Sequence, residues 1–197
     1  MTTDFESQLG LRELAAELTI RSVKYREEPY KLRKGGLSHW YVDLKSGLAD
    51  GIVMQRTGKF LIESANSRKL DYQVLSAIGI GGHAVLGCLF THLGPGMHLS
   101  WAEDRHEIDE QGIDQYGLHC DVKGKKVWVV DDTATTGDSL FSLIDMVRSD
   151  GGIVENADVA VDRSNGVVTR ALETIGVSFN SLLLFDESTG ELGPRLP

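Results

Sequence analysis

Basic charge, cysteine, proline and long apolar runs are all scarce in this chain of 197 residues. The formal charge is −9, so no broad cationic face is available to displace counterions from a nucleic acid. That excludes general nucleic-acid affinity. It leaves room for a small anion held by backbone amides, one or two arginines and a cation. Cysteine occurs only as Cys88 and Cys120, without metal-ligand spacing, which fits a reducing, cytoplasmic setting. Cys88 lies in the apolar run 84–90 and is expected to be a core thiol. The four prolines form no Pro-rich linker, and no repeat or low-complexity stretch is present. No apolar run approaches the roughly 20 residues that span a bilayer, so no membrane role is expected. Residues 1–10 are polar and acidic and do not read as a signal peptide. Between Glu103 and Val122 there is no lysine at all.

The periodicities describe an α/β protein. Leu9, Leu11, Leu14, Ala15, Leu18 and Ile20 recur at helical spacing and predict an N-terminal amphipathic helix. The Gly-broken stretch 32–38 runs into Trp40-Tyr41-Val42-Asp43, a hairpin or a turn before a strand. Val74 to Ile80 reads as a short buried run ending in Gly79-Ile80-Gly81-Gly82, with an apolar helix from Ala84 to Phe90. Residues 103–122 are polar and aperiodic, as lids and mobile segments are. Strands are expected at 126–130, 157–161 and, finally, 177–185, with helices at 140–148 and 167–175. This alternation favours a mostly parallel central sheet flanked by helices.

The chemistry concentrates in Val127-Trp128-Val129-Val130-Asp131-Asp132-Thr133-Ala134-Thr135-Thr136-Gly137-Asp138-Ser139. A buried strand delivers two adjacent carboxylates to the carboxyl edge of the sheet, where open α/β folds bind ligands. A Thr-rich loop closed by Gly137 then precedes a helix N-terminus, an arrangement that cradles phosphate. Carboxylates do not suit phosphate; they suit vicinal hydroxyls. The composite ligand is a ribose 5-phosphate. Capping alone asks for one Asp or Thr and not for this whole run. A Gly-x-x-x-x-Gly-Lys-Thr sequence is absent, and Gly79 to Gly82 lacks dinucleotide-fingerprint spacing.

The segment Val129 to Gly137 resembles the signature by which type I phosphoribosyltransferases bind 5-phosphoribosyl-1-pyrophosphate (PRPP). Over nearly the whole chain the sequence is most similar to the orotate phosphoribosyltransferases. Residues 30–43 resemble that family's N-terminal substrate segment, with Arg33 in place of a lysine and with Ser38, Tyr41 and Asp43 retained. Residues 78–86 resemble its pyrophosphate loop. Val161-Asp162-Arg163 resembles the strand-end Asp-Arg whose arginine grips the orotate carboxylate, and 172–183 resembles the closing helix and strand.

The resemblance implies one phosphoribosyltransferase domain over 1–197. Residues 1–45 would form the N-terminal helix and a small base-binding hood, and 46–197 the PRPP-binding core. It implies transfer of the phosphoribosyl group of PRPP to orotate or a similar base, giving orotidine 5'-monophosphate (OMP) and pyrophosphate, as in the de novo route to UMP. Asp131 and Asp132 would serve the ribose hydroxyls. Mg²⁺ would be carried by PRPP, reached by those aspartates through water and bound directly by no side chain. Thr133, Ala134, Thr135, Thr136 and Gly137 would hold the 5-phosphate; Ile80, Gly81 and Gly82 the pyrophosphate; Arg33, Tyr41 and Arg163 the base. Arg105 and His106 would contact pyrophosphate from a loop that closes across a homodimer interface. That loop departs from the family pattern: His106, Asp109 and Gln111 stand where two lysines and a histidine are usual. An acidic residue near a leaving pyrophosphate opposes catalysis. A different base, or a PRPP-binding paralogue with impaired catalysis, therefore stands beside the orotate reading.

Overall fold

The computed structural model describes residues 2–31, 37–103 and 117–195. Helix α1 (Thr2–Ser22) opens the chain, and strands β1 (Val23–Lys31) and β2 (Leu37–Val42) follow as an antiparallel hairpin. Only a narrow stripe of α1 is buried, through Leu14, Ala15 and Leu18. Leu9 and Ile20, expected on the same face, are exposed because Ile20 falls off the stripe and Leu9 lies beyond the packed segment. Helices α2 (Leu44–Leu48) and α3 (Gly51–Ser67) come next. Asp50 caps α3 by accepting hydrogen bonds from the N–H groups of Ile52 at 2.9 Å and Val53 at 3.2 Å.

The remaining elements are β3 (Val74–Ile78), α4 (Gly79–Phe90), β4 (His98–Glu103), β5 (Gly117–Leu118), β6 (Lys126–Ala134), α5 (Asp138–Ser149), β7 (Ile153–Asp162), α6 (Val167–Thr174), β8 (Ser178–Asp186) and β9 (Glu191–Pro194). Seven strands form one sheet in the order β5-β4-β3-β6-β7-β8-β9. The five inner strands run parallel, and the short edge strands β5 and β9 run antiparallel. One apolar cluster packs α1, α3 and α4 on one side of the sheet, and another packs α5 and α6 on the other. Two covered faces explain why the inner strands read as continuous apolar runs. Cys88 is buried as expected, and desolvation pushes its thiol up to about 12, so it behaves as an inert core residue. No helix among the described residues is long and apolar enough to cross a membrane.

Several boundaries differ from expectation; strand β7 begins at Ile153 and not at Ala157, because Ile153 and Asn156 pair with Lys126 and Trp128 of β6. Helix α4 begins at Gly79 and not Ala84, so the glycines form its first turn. Strand β6 continues past Val130 through Ala134, because Val159, Val161 and Asp162 of β7 extend the ladder beside it. The strand at 178–186 is not the last; β9 turns back and pairs with it.

One polar pair is set inside this frame. Asp158 on β7 is fully buried and is held by the guanidinium of Arg68 from the end of α3. Desolvation raises its pKa, and Arg68 opposes that rise. Arg68→Ala is expected to cost about 3 kcal/mol of stability, since one partner of a buried pair is left uncompensated. The folded pKa then climbs further, so the variant recovers stability below the ordinary carboxylate range and loses it as pH rises through that folded pKa. Thermal unfolding measured across pH checks this.

Candidate active site

The sheet order reverses direction between β3 and β6, and the carboxyl ends of these two strands carry the site. Such a switch point opens a crevice between the connections that leave in opposite directions. From β3 the chain enters α4 directly. In the first turn of a helix the N–H groups have no intrahelical acceptor. Ile80 and Gly81 fall in that turn, and the first helical bond is due at Gly82. From β6 come Asp131 and Asp132, and Thr135 to Gly137 lead into α5. Gly137 adopts φ +81°, a left-handed conformation that side chains disfavour, and so turns the chain sharply into the helix.

The two connections touch. A methyl group on Gly81 would lie 2.3–2.6 Å from the Asp132 carboxylate, and one on Gly82 3.2 Å from Asp131 Oδ1. The absence of side chains there is what allows α4 to start against the acidic pair. Asp131 is 5% exposed. Burial, then the neighbouring charge of Asp132, push its pKa well above the ordinary value. The Asp132 N–H donates to Asp131 Oδ1 at 2.8 Å, and the Thr133 N–H donates to Asp132 Oδ1 at 2.8 Å. The Thr133 hydroxyl is buried without a partner, while that of Thr136 donates to Asp138 at 2.6 Å. Crowded, desolvated carboxylates suit hydroxyl donors and a cation brought with the ligand. Among the described residues, no group of three or more His, Cys, Asp or Glu could hold a metal.

A cleft of about 300 Å³ joins Asp131–Leu140 to Tyr41, Val42 and Lys45 from the N-terminal part and to Arg163 from the end of β7. The expected residues Asp131, Asp132, Thr133, Ala134, Thr135, Thr136, Gly137, Tyr41 and Arg163 therefore share one cavity, with Gly81 and Gly82 against its acidic edge. Arg33, Arg105 and His106 lie outside the described residues.

Lys45 was not legible beforehand. It follows Asp43 on α2, with Nζ 3.1 Å from Asp43 Oδ1. Burial pulls its pKa down, but the hydrogen bond to Asp43 and the fields of Asp132, Asp43 and Tyr41 raise it overall. It is thus a fully charged cation in the same cleft as the acidic pair. The Ser46 hydroxyl, outweighing burial and joined by Lys45, holds Asp43 below the usual carboxylate range. The spacing of a lysine three residues beyond Val42 carries no motif; only the turn into α2 brings it inward.

Arg163 stands in the wall between this cleft and a wider one of about 870 Å³ bounded by the β8–β9 turn. Its side chain is 4% exposed. The guanidinium lies 4.6 Å over the Phe185 ring and 2.5 Å from Glu187 Oε1.

A crevice at a parallel-sheet switch point, with paired carboxylates on one strand end and a Thr-rich turn closed by Gly137 after them, is the architecture of the type I phosphoribosyltransferases, and solved structures share it. A Mycobacterium tuberculosis orotate phosphoribosyltransferase in complex with PRPP superposes with a TM-score of 0.70 at 24% identity, covering 89% of this chain and 96% of that one. The Aeropyrum pernix orotate phosphoribosyltransferase gives 0.67 at 26% identity, covering 87% and 91%. By sequence, the Methanopyrus kandleri orotate phosphoribosyltransferase is 31% identical over 179 residues, which span 91% of this chain and 92% of that relative. No protein-family model matches. The chain belongs to the orotate phosphoribosyltransferase family.

Proposed function

We propose that this protein transfers the phosphoribosyl group of PRPP to orotate, releasing pyrophosphate and forming OMP, a step of pyrimidine biosynthesis. The observation that carries the reading is the contact between Gly81 at the start of α4 and the Asp131–Asp132 pair on β6. It brings a hydroxyl-binding acidic pair and an anion-binding helix start to one point, as a ribosyl pyrophosphate requires. The family relationship supports the substrate class, and the PRPP complex of the M. tuberculosis relative supports the first ligand.

In the reaction a ring nitrogen of the base forms a bond to C1 of the ribose, and the C1–O bond to pyrophosphate breaks with its electron pair leaving on oxygen. Positive charge grows on the ribose, so no protein nucleophile is needed and positioning with charge stabilisation suffices. Asp131 and Asp132 accept from the ribose hydroxyls and fix the ring. The turn 133–137 and the N-terminus of α5 hold the 5-phosphate. The free amides at the start of α4 face the pyrophosphate. Arg163 orients the base through its carboxylate, with Tyr41 beside it. Mg²⁺, brought with PRPP and reached by Asp131 and Asp132 through water, would neutralise charge on the departing pyrophosphate. Arg105 and His106 of a second copy of the chain would contact the pyrophosphate.

Lys45 extends this assignment. With no lysine between Glu103 and Val122, it is placed to supply cationic charge to the phosphate groups. Lys45→Met is expected to lower kcat/KM about 10²-fold, and Lys45→Arg to retain most of it, because the role needs charge. Steady-state kinetics on both variants decide this. The base assignment is tested by offering PRPP and Mg²⁺ with orotate, uracil or adenine in parallel. Nucleotide formation from orotate alone is expected; formation from another base in preference to orotate would displace the reading.

A further inference from the structure

Arg163, assigned above to the base carboxylate, already holds a carboxylate of the chain itself. Glu187 lies in the turn between β8 and β9, and its Oε1 is 2.5 Å from an Arg163 nitrogen. The Ser38 hydroxyl on β2 joins them, 3.4 Å from Glu187 Oε2 and 3.4 Å from the same Arg163 nitrogen. The backbone carbonyl of Glu187 accepts a hydrogen bond from the indole N–H of Trp40 at 3.1 Å. A methyl on Gly190 would lie 2.3–2.5 Å from the Trp40 ring, so the turn and the hairpin are tightly seated. The Arg163 side chain is nearly inaccessible, whereas that of Glu187 is 54% exposed. The Nε–H of Arg163 is buried and has no partner.

These facts describe a cation compensated from the solvent side by a carboxylate on a turn, with one donor still unsatisfied. A ring bearing its own carboxylate meets the guanidinium and Glu187 together. Two carboxylates at one guanidinium repel. A ring of the same shape without the carboxylate meets no such opposition. Specificity is a difference between two affinities, and a repulsive group acts on only one of them.

We propose that Glu187 is a specificity-determining residue of the base subsite. It competes with the carboxylate of an acidic pyrimidine for Arg163 and so sets how far that ring is preferred over the same ring without it. The inference rests on the proposed function only through the role of Arg163.

The test uses two nucleotides that differ by the carboxylate alone, OMP and uridine 5'-monophosphate (UMP), titrated calorimetrically into the wild-type chain and into Glu187→Gln. The amide keeps the shape and removes the charge. The ratio of OMP to UMP affinity is expected to rise at least about tenfold in the variant, with UMP affinity unchanged, which also reports correct folding. Glu187→Asp, which keeps the charge on a shorter stem, is expected to give an intermediate ratio and stands in if Glu187→Gln does not fold. An unchanged ratio, or equal weakening of both nucleotides, overturns the proposal, because Glu187 is then a scaffold or a ring contact. Orotate turnover by the wild-type chain is read separately. Turnover with an unchanged ratio removes this inference and leaves the proposed function standing. A raised ratio without turnover does the reverse.

Discussion

Asp131→Asn is expected to make the protein more stable and to abolish its turnover. The carboxyl is buried beside Asp132, and burial first, then that like charge, raise its pKa well above the ordinary 3.8. The sign follows from linkage. A folded-state pKa above the unfolded one means that the stabilising contribution is complete below the unfolded value. It is lost as pH rises through the folded value. At neutral pH the buried Asp131 carboxyl therefore opposes folding, and an amide removes that opposition. About 1 kcal/mol is expected, which in a chain of this size raises Tm by about 2–4 °C. Stability of the variant should also lose the part of its pH dependence that belongs to Asp131. Turnover should fall about 10³-fold or more, since an amide neither carries the charge nor accepts at both oxygens. Thermal protection by PRPP with Mg²⁺ should shrink in parallel. Paired melting and kinetic measurements check this opposition. A variant that is both less stable and inactive would point to a structural role for Asp131 instead.

Gly81→Ala is expected to leave the fold intact and to lower activity about 10²-fold. Alanine is favoured over glycine inside a helix by about 1 kcal/mol, so α4 gains locally. The new methyl, however, would fall 2.3–2.6 Å from the Asp132 carboxylate. Either that carboxylate rotates away or the helix start retreats, and both displace a group assigned to the ribosyl pyrophosphate under the proposed function. A misplacement on the order of 1 Å costs about 10²-fold in rate. Gly51→Ala at the start of α3 is the matched control, because nothing lies within 4 Å of the added methyl. It should stabilise by about 0.5 kcal/mol and leave kcat/KM unchanged. Circular dichroism melts beside steady-state rates separate the two effects. Equal activity in both variants would mean that the approach of α4 to Asp132 has no part in the chemistry.

The elements legible in the sequence are those whose signals are local. Val127 to Val130 is a buried apolar run, and the carboxylate, threonine and glycine residues after it occupy consecutive positions, so the strand, its acidic end and the turn into α5 could be read without tertiary knowledge. The extent of β6 could not. Asp131 to Ala134 have no strand pattern of their own and are extended because β7 offers a ladder beside them. Helix α3 escaped because Thr57 and Gly58 interrupt its apolar face, and β4 because His98, Ser100 and Trp101 obscure the alternation. Lys45 and Glu187 escaped for a different reason. Each takes its proposed role from a residue distant in the chain: Lys45 from the cleft it shares with Asp132, and Glu187 from Arg163 and from Ser38, which precedes it by 149 positions. The resemblance pointed to Arg163, yet nothing near it in sequence announces the carboxylate that holds it.

The most direct test is a single assay containing PRPP, Mg²⁺, orotate and the full chain, with orotate absorbance and pyrophosphate release recorded together. Loss of orotate and appearance of pyrophosphate in equal amounts, dependent on both PRPP and Mg²⁺, is the predicted result. PRPP that protects the chain against thermal unfolding while orotate stays unconsumed would contradict it.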